Sequence, residues 1–257
     1  MNSDKLLKDY KKNGFIIIKN FFSKKIINKA KYNILKEAKK NSNELFFYEK
    51  NKKKLRRIEN IAAFSNDANK IINNFKLNKL VNKILGKNIL FKDKLNFKYP
   101  GGGGFSPHID GHFFWKDKNN NLKKGWKQYS NKFLSVVIPL EVSNIKNGCL
   151  QIANLEDTKK NFGTNWNNIV KKIYKFTPKV KKNYIKKFKF IPIELNAGDI
   201  LLFDWKVCHG SKKNNSKNSR MIFYVTFAKI DKFKNLKEKY YNDKISSKNT
   251  LSSKSLN

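Results

Sequence analysis

The feature that most constrains the fold begins at residue 88. From there NILFKDKLNFKYP, KFLSVVIPLEV, GCLQIAN, KFIPIELN, DILLFDW and RMIFYVTFAKI follow as short runs rich in β-branched and aromatic residues. GGGG, KNG, NAGD and KKNNSKNS separate them, and such segments form turns. Several short strands with turns between them point to a sandwich or barrel. The first part of the chain reads as helices around one short strand. SDKLLKDYKKNG is a helix that stops at Gly14, FIIIK is a strand, and SKKIINKAKYNILKEAKK is a helix with Ser23 as its N-cap. Ile26, Ile27, Ala30, Ile34 and Leu35 share one face of that helix. NDANKIINNFKLNKLVNKILG predicts one further helix, closed by Gly86.

Between residues 155 and 188 the strand texture breaks, and WNNIVKKIYKF reads as an inserted helix. KDKNNNLKK (116–124) is expected to form a mobile loop. The expected organisation is one domain over 1–240, mainly β with α additions, and a disordered polar tail over 241–257.

Composition narrows the function classes. No stretch approaches the eighteen apolar residues of a membrane span, and the N-terminus carries charges where a signal peptide needs an apolar run. Cys149 and Cys208 do not make a disulfide framework and read as small packing groups. A cytoplasmic chain, monomeric or weakly oligomeric, is expected. The net charge of +38 first suggests nucleic acid. Its carriers are almost all lysines, spread along the whole chain among asparagine and isoleucine. A nucleic-acid face clusters its charge and uses arginine, so that partner is not favoured. The charge does favour anionic small molecules and resists self-association. Only Arg56, Arg57 and Arg220 are arginines. Against a lysine background, each marks either a place that needs a planar fork or a chance surface position.

Histidine is scarcer still, with three in the chain. FSPHIDGHFFW holds His108 and His112 on either side of Asp110, and LLFDWKVCHGS holds His209. On an extended chain residues i and i+2 project together, so His108 and Asp110 share a side. Two neutral imidazoles and one carboxylate suit one face of an octahedral metal, the facial triad of non-haem Fe(II) oxygenases. Zinc competes, because His112 could complete a His-Asp-His set with His209. Ser211 and Arg220 follow His209 by two and eleven residues. They offer a hydroxyl and a fork for the distal carboxylate of a metal-bound 2-oxo acid, which a structural zinc site would not use.

These segments resemble the phytanoyl-CoA dioxygenase family of Fe(II)/2-oxoglutarate-dependent oxygenases. YPGGGGFSPHID, NGCLQIAN and AGDILLFDWKVCHGSKKNNSKNSR carry the resemblance, with a weaker match at YKKNGFIIIKNFFS, so it spans residues 10 to about 228 with gaps. It implies a double-stranded β-helix, or jelly roll, flanked by N-terminal helices. It implies that His108, Asp110 and His209 bind Fe(II), and that Arg220 and Ser211 hold 2-oxoglutarate. Dioxygen would be the second co-substrate, and hydroxylation of a small molecule the outcome. Arg57, in LRRIENIAAF, stands where members place a basic residue that reaches the co-substrate; an exposed arginine is the alternative. Trp126 lies at a family-like distance for lining the co-substrate pocket, or belongs to the core. His112 is expected in or beside the substrate pocket.

One departure bears on substrate. Members commonly carry Pro-Gly-Ser-His after the NGCL motif, where this chain has QIANLEDTKK. The glycine-rich lead-in is similar to members that hydroxylate small polar metabolites, aminophosphonates included; others act on acyl-CoA thioesters or compatible solutes. An anionic or polar substrate is expected. Two alternatives remain at this point: an oxygenase acting on nucleic acid, and a non-catalytic β-barrel binding module. Nucleic-acid demethylating relatives add a second arginine soon after the distal histidine, and the six residues after His209 contain none.

Overall fold

Strand β13 (Arg220–Lys229) shows how the fold is built. Its side chains alternate between two faces, as a pleated strand requires. Met221, Phe223, Val225 and Phe227 pack outward on helices, while Ile222 and Tyr224 point into a second, separate core. The structure is a computed structural model that describes residues 3–41, 45–49, 54–117, 119–162, 169–170, 178–231 and 235–246.

In chain order the elements begin with α1 (Ser3–Asn13), β1 (Phe15–Ile18), α2 (Lys24–Lys39), β2 (Phe46–Tyr48) and β3 (Leu55–Glu59). Then come α3 (Asn66–Ile72), α4 (Phe75–Leu85), β4 (Asn88–Lys98), β5 (Phe105–Ile109), β6 (Phe114–Lys116) and β7 (Leu122–Lys124). β8 (Phe133–Pro139), β9 (Leu150–Ile152), α5 (Leu155–Phe162), α6 (Lys182–Ile185) and β10 (Ile191–Ile193) follow. β11 (Ile200–Asp204), β12 (Cys208–Ser211), β13 and α7 (Leu236–Ser246) complete the described chain.

A seven-stranded sheet runs β1-β11-β8-β13-β4-β3-β2, and a four-stranded sheet runs β10-β9-β12-β5. The named strands pair antiparallel throughout. This is the expected mainly β, jelly-roll architecture with helices outside. The larger sheet carries the helices on its outer face, where Ile27, Ile34, Leu77 and Val81 meet Leu95 and Phe223. Each such fully buried side chain contributes about 1.5–3 kcal/mol by leaving water. Ser23 caps α2 as read from the sequence, its Oγ accepting from the Ile26 amide at 3.3 Å.

Three expectations are corrected. The single helix expected over NDANKIINNFKLNKLVNKILG is two, α3 and α4, because Asn74 leaves the helical conformation (ψ 127°) and caps α4 by accepting from the Leu77 amide. An asparagine side chain competes with the helical backbone in this way. KDKNNNLKK is a hairpin of β6 and β7, whose turn is organised by Asp117 accepting from the Asn119 and Asn121 amides, both at 2.9 Å. The tail expected from residue 241 begins instead as helix: α7 continues to Ser246, with Tyr240, Tyr241 and Lys244 buried. The rest of that tail, and most of the WNNIVKKIYKF segment, lies outside the described residues.

Close backbone approach requires glycine at several turns, two of which flank β5 and Asp110. A Cβ at Gly104, in the GGGG turn, would stand 2.3 Å from the Ser211 carbonyl oxygen. At Gly125 (φ +46°) it would stand 1.9 Å from the carbonyl oxygen of Gly111, the residue after Asp110. Gly125→Ala is therefore expected to cost about 2 kcal/mol or more and to lower the thermal midpoint, since backbone must move on one side or the other. A melt indistinguishable from wild type would contradict this packing.

Candidate metal centre and the cavities beside it

The pairing of β5 with β12 sets His108 directly opposite His209. Opposed residues on antiparallel strands share a face, and the two rings meet with centroids 4.2 Å apart. Asp110 follows β5 on the same side as His108. Its Oδ1 lies 3.9 Å from His108 Nε2 and 3.8 Å from His209 Nε2. One donor atom from each of the three falls within 4.8 Å of the others. The three side chains that the sequence singled out thus converge from two strands about a hundred residues apart.

Hydrogen bonds fix the state of each donor. His108 Nδ1 faces the Ser106 carbonyl at 2.8 Å, and His209 Nδ1 faces that of Val207 at 3.1 Å. A carbonyl only accepts, so each Nδ1 carries the proton and each Nε2 offers its lone pair to the gap. Burial, with His209 close by, holds His108 down to about 3, and burial also lowers His209. Both rings are therefore neutral, as a metal ligand must be. Burial opposes ionisation of Asp110, but His209, Lys94 and His108 together hold its carboxyl below the usual range. Ser135 donates to Asp110 Oδ2 at 3.3 Å, which leaves Oδ1 toward the imidazoles. Two preset lone pairs and an ionised oxygen on one side of a gap fit a divalent cation. His112 is not part of this cluster. It borders a neighbouring hollow with Phe114 and Lys127, and its ring lies against Trp205.

Two cavities adjoin the triad. The inner one is bordered by His108, His209, Arg57, Lys94, Asn96 and Ser211. The outer one is bordered by His108, Asp110, Lys94, Trp126, Lys179 and Tyr240, with Arg57 and Lys92 in its wall. Trp126 is both cavity wall and core, since its ring also packs on Phe91 and Phe133. Arg57 faces both cavities, held by Asn96 Oδ1 at 3.1 Å and Glu59 Oε1 at 3.2 Å.

Ser211 sits at one end of the inner cavity with an unusual allocation. Its Oγ accepts from Lys98 Nζ at 2.8 Å and from the Phe105 amide at 3.3 Å. A hydroxyl has two acceptor sites and one proton, so the proton is left to donate elsewhere. Arg220 does not border that cavity. It stands opposite Lys98 in the β13–β4 register, fully buried, and its Nη1 donates to the Gly148 carbonyl, which Lys98 also contacts. Neither Lys98 nor Arg220 has a carboxylate within 4 Å among the described residues. Burial, Arg220 and Arg56 push Lys98 down to about 6. Buried positive charge without a counter-ion is costly, and a bound anion would relieve it. None of the three arginines is exposed: Arg56 clamps the GGGG turn through the Gly103 and Gly104 carbonyls at 3.2 and 3.1 Å.

Sequence reading missed four inward side chains of β4, namely Lys92, Lys94, Asn96 and Lys98. Their i, i+2 spacing was visible, but lysine is common everywhere in the chain. It also missed Glu59 and the cavity-lining Tyr240 of α7. The segment that departs from the family pattern, QIANLEDTKK, forms β9 and then α5, with Asn154 Oδ1 accepting from the Asp157 amide at 2.7 Å.

Comparison with known proteins agrees with this architecture. A 2-aminoethylphosphonate dioxygenase of an uncultured bacterium (HF130_AEPn_1) is 30% identical over 169 residues, covering 63% of this chain and 56% of that one. A methylphosphonate hydroxylase of Gimesia maris is 24% identical over 189 residues, covering 73% and 64%. The chain thus spans a little over half the length of curated relatives it matches. Among solved structures, EctD from S. alaskensis with 2-oxoglutarate and 5-hydroxyectoine has the same fold, with a TM-score of 0.67 at 17% identity over 87% of this chain and 75% of that one. The epimerase SnoN in complex with Fe3+, alpha ketoglutarate and nogalamycin RO superposes with a TM-score of 0.66 at 11% identity, over 88% and 83%. No helix among the described residues is long and apolar enough to cross a membrane. The sequence model of the phytanoyl-CoA dioxygenase (PhyH) family matches residues 10–222, most of the sandwich and both strands of the triad, and the chain belongs to that family.

Proposed function

We propose that the protein is an Fe(II)/2-oxoglutarate-dependent dioxygenase that hydroxylates a small organic anion, with small phosphonates the first class to test. The observation that carries this reading is the convergence of His108, Asp110 and His209, with both Nε2 lone pairs and one ionised oxygen turned into a common gap. These three residues would hold the ferrous ion. When bound, iron with 2-oxoglutarate and dioxygen supplies the oxidising power that hydroxylation of a carbon–hydrogen bond requires.

The chain's own residues do the rest. Ser106 and Val207 carbonyls hold the imidazoles in the ligating tautomer, and Ser135 holds the aspartate's rotation. The free proton of Ser211 suits a carboxylate in the inner cavity, with the Arg220 charge behind it and Lys98, whose protonation a bound anion would favour, beside it. Phe203, packed on the His209 ring at 4.7 Å, and Leu150 keep water from that side. Asp110 itself favours hydroxylation, because a carboxylate fills the position that a halide would otherwise need. Relatives named for phosphonates favour that substrate class, as does the cationic outer cavity.

The test has two stages. Anaerobic addition of Fe(II) and 2-oxoglutarate should give a metal-to-ligand charge-transfer band, and its absence would defeat the oxygenase reading. Succinate release over phosphonates, amino acids, betaines and acyl-CoAs then identifies the substrate. Arg220→Lys should raise the 2-oxoglutarate requirement with iron still bound, provided that the guanidinium turns from the Gly148 carbonyl to present its fork past Ser211 when the keto acid binds, since lysine keeps the charge but has no fork. An unchanged requirement would place Arg220 outside the co-substrate site.

A further inference from the structure

Among the described residues, most inward-facing cations near the triad have acceptors, Arg56 on the GGGG turn included. Arg57 is taken by Asn96 and Glu59. Lys92 lies 3.0 Å from the Tyr240 hydroxyl and 3.5 Å from Glu59. Lys244 donates to Glu59 at 2.5 Å. Lys98 has three acceptors and Arg220 has the Gly148 carbonyl. Lys94 is different. It borders both cavities, its ammonium lies 4.9 Å from the centre of the Tyr224 ring, and among the described residues it has no hydrogen-bond acceptor and no carboxylate within 4 Å. Lys94 is half-buried, so its ammonium faces cavity space and a ring, and a ring face alone offsets only part of what a cation loses on leaving water.

We propose that Lys94 is the substrate's anion anchor: it binds the phosphonate or carboxylate group of a small molecule in the outer cavity, with Lys179 as a second cation at the rim. This rests on the oxygenase reading above and deepens it. Under that reading the two carboxylates of the keto acid are provided for, one at the metal triad and one at Ser211. That leaves Lys94 for the molecule in the outer cavity. Lys179 borders that cavity alone, and like Lys94 it has no carboxylate within 4 Å among the described residues. Asp110 also borders the outer cavity, so an anionic group drawn to Lys94 is kept off the carboxylate by repulsion. That arrangement turns the uncharged part of the substrate toward the triad, where a carbon–hydrogen bond must lie. Burial, Lys92 and Arg57 hold the empty Lys94 amine down to about 7, and an oxyanion beside it would restore its charge.

The experiment measures two affinities on iron-loaded protein without oxygen. Calorimetry reads methylphosphonate binding in the presence of 2-oxoglutarate, and the charge-transfer band reads 2-oxoglutarate itself. Lys94→Met should weaken methylphosphonate about 10- to 100-fold while shifting the keto-acid affinity less than about threefold; Lys94→Arg should recover part of the loss. Equal methylphosphonate affinity in wild type and Lys94→Met would overturn the anchor and leave the oxygenase reading standing. So would a loss that falls on the keto acid instead, which would assign Lys94 to the co-substrate. Wild-type protein that binds the keto acid but no methylphosphonate or acetate also overturns it. A missing charge-transfer band, with methylphosphonate binding that depends on Lys94, would sink the oxygenase reading and support the anchor.

Discussion

Asp110→Ala is expected to abolish turnover, by at least about 1000-fold, and to weaken iron binding. That factor corresponds to about 4 kcal/mol of lost transition-state stabilisation. Asp110 is the one anion among the three donors, and it shares its gap with two imidazoles. Removing it leaves a cationic pocket whose remaining ligands are neutral, which disfavours a divalent ion. The fold should survive, because Asp110 lies beyond the end of β5 and, among the described residues, its side chain takes one hydrogen bond, from Ser135. Two measurements check this: succinate release with whichever substrate the screen selects, and iron content after dialysis. Full activity in the variant would end the triad assignment.

Glu59→Gln should have the largest effect on stability, about 3–5 kcal/mol, which for a chain of this size lowers the thermal midpoint by roughly 10 °C. Glu59 is fully buried and receives Lys244, Arg57 and Lys92 at 2.5, 3.2 and 3.5 Å. Burial opposes its charge, yet the three cations hold its carboxyl far below the ordinary value. Glutamine keeps the shape but leaves those cations facing one another. The loss should depend on pH. Burial already lowers Lys244 to about 7, with Glu59 opposing that shift. Without Glu59 the Lys244 ammonium must lose its proton at lower pH still to remain buried. A lysine lowered in the folded state costs stability below its unfolded value, and the cost grows as pH falls. The Glu59→Gln penalty should therefore be greater at pH 6 than at pH 9, by urea unfolding. A pH-independent difference under about 1 kcal/mol would show that the cluster is solvated.

The triad was legible because its signal was rare. Three histidines in the whole chain, one of them two residues from an aspartate on a strand, leave few arrangements. The strands were legible where apolar residues clustered between turn-formers, as in β8, β11 and β13. What escaped was written in the commonest residue. Lys92, Lys94, Asn96 and Lys98 alternate with Leu95 and Phe97 on β4, but a lysine-rich background hides an inward polar row. The break between α3 and α4 escaped because Asn73 and Asn74 are unremarkable in a helix until one of them turns back to cap its neighbour. Helix α7 escaped because Leu236, Tyr240 and Lys244, four apart, lead into a serine- and lysine-rich tail that resembles disorder. The arginines, for which the sequence left a surface position open, are all withdrawn from the surface.

The link between α7 and Glu59 has a consequence for biosynthesis. Lys244 and Glu59 are 185 residues apart, and Tyr240 on the same helix walls the outer cavity. During translation the sandwich strands emerge before the helix that closes their side, so a nascent chain carries the triad before it carries a finished pocket. The wall that Tyr240 supplies is consequently made after both strands of the triad have left the ribosome.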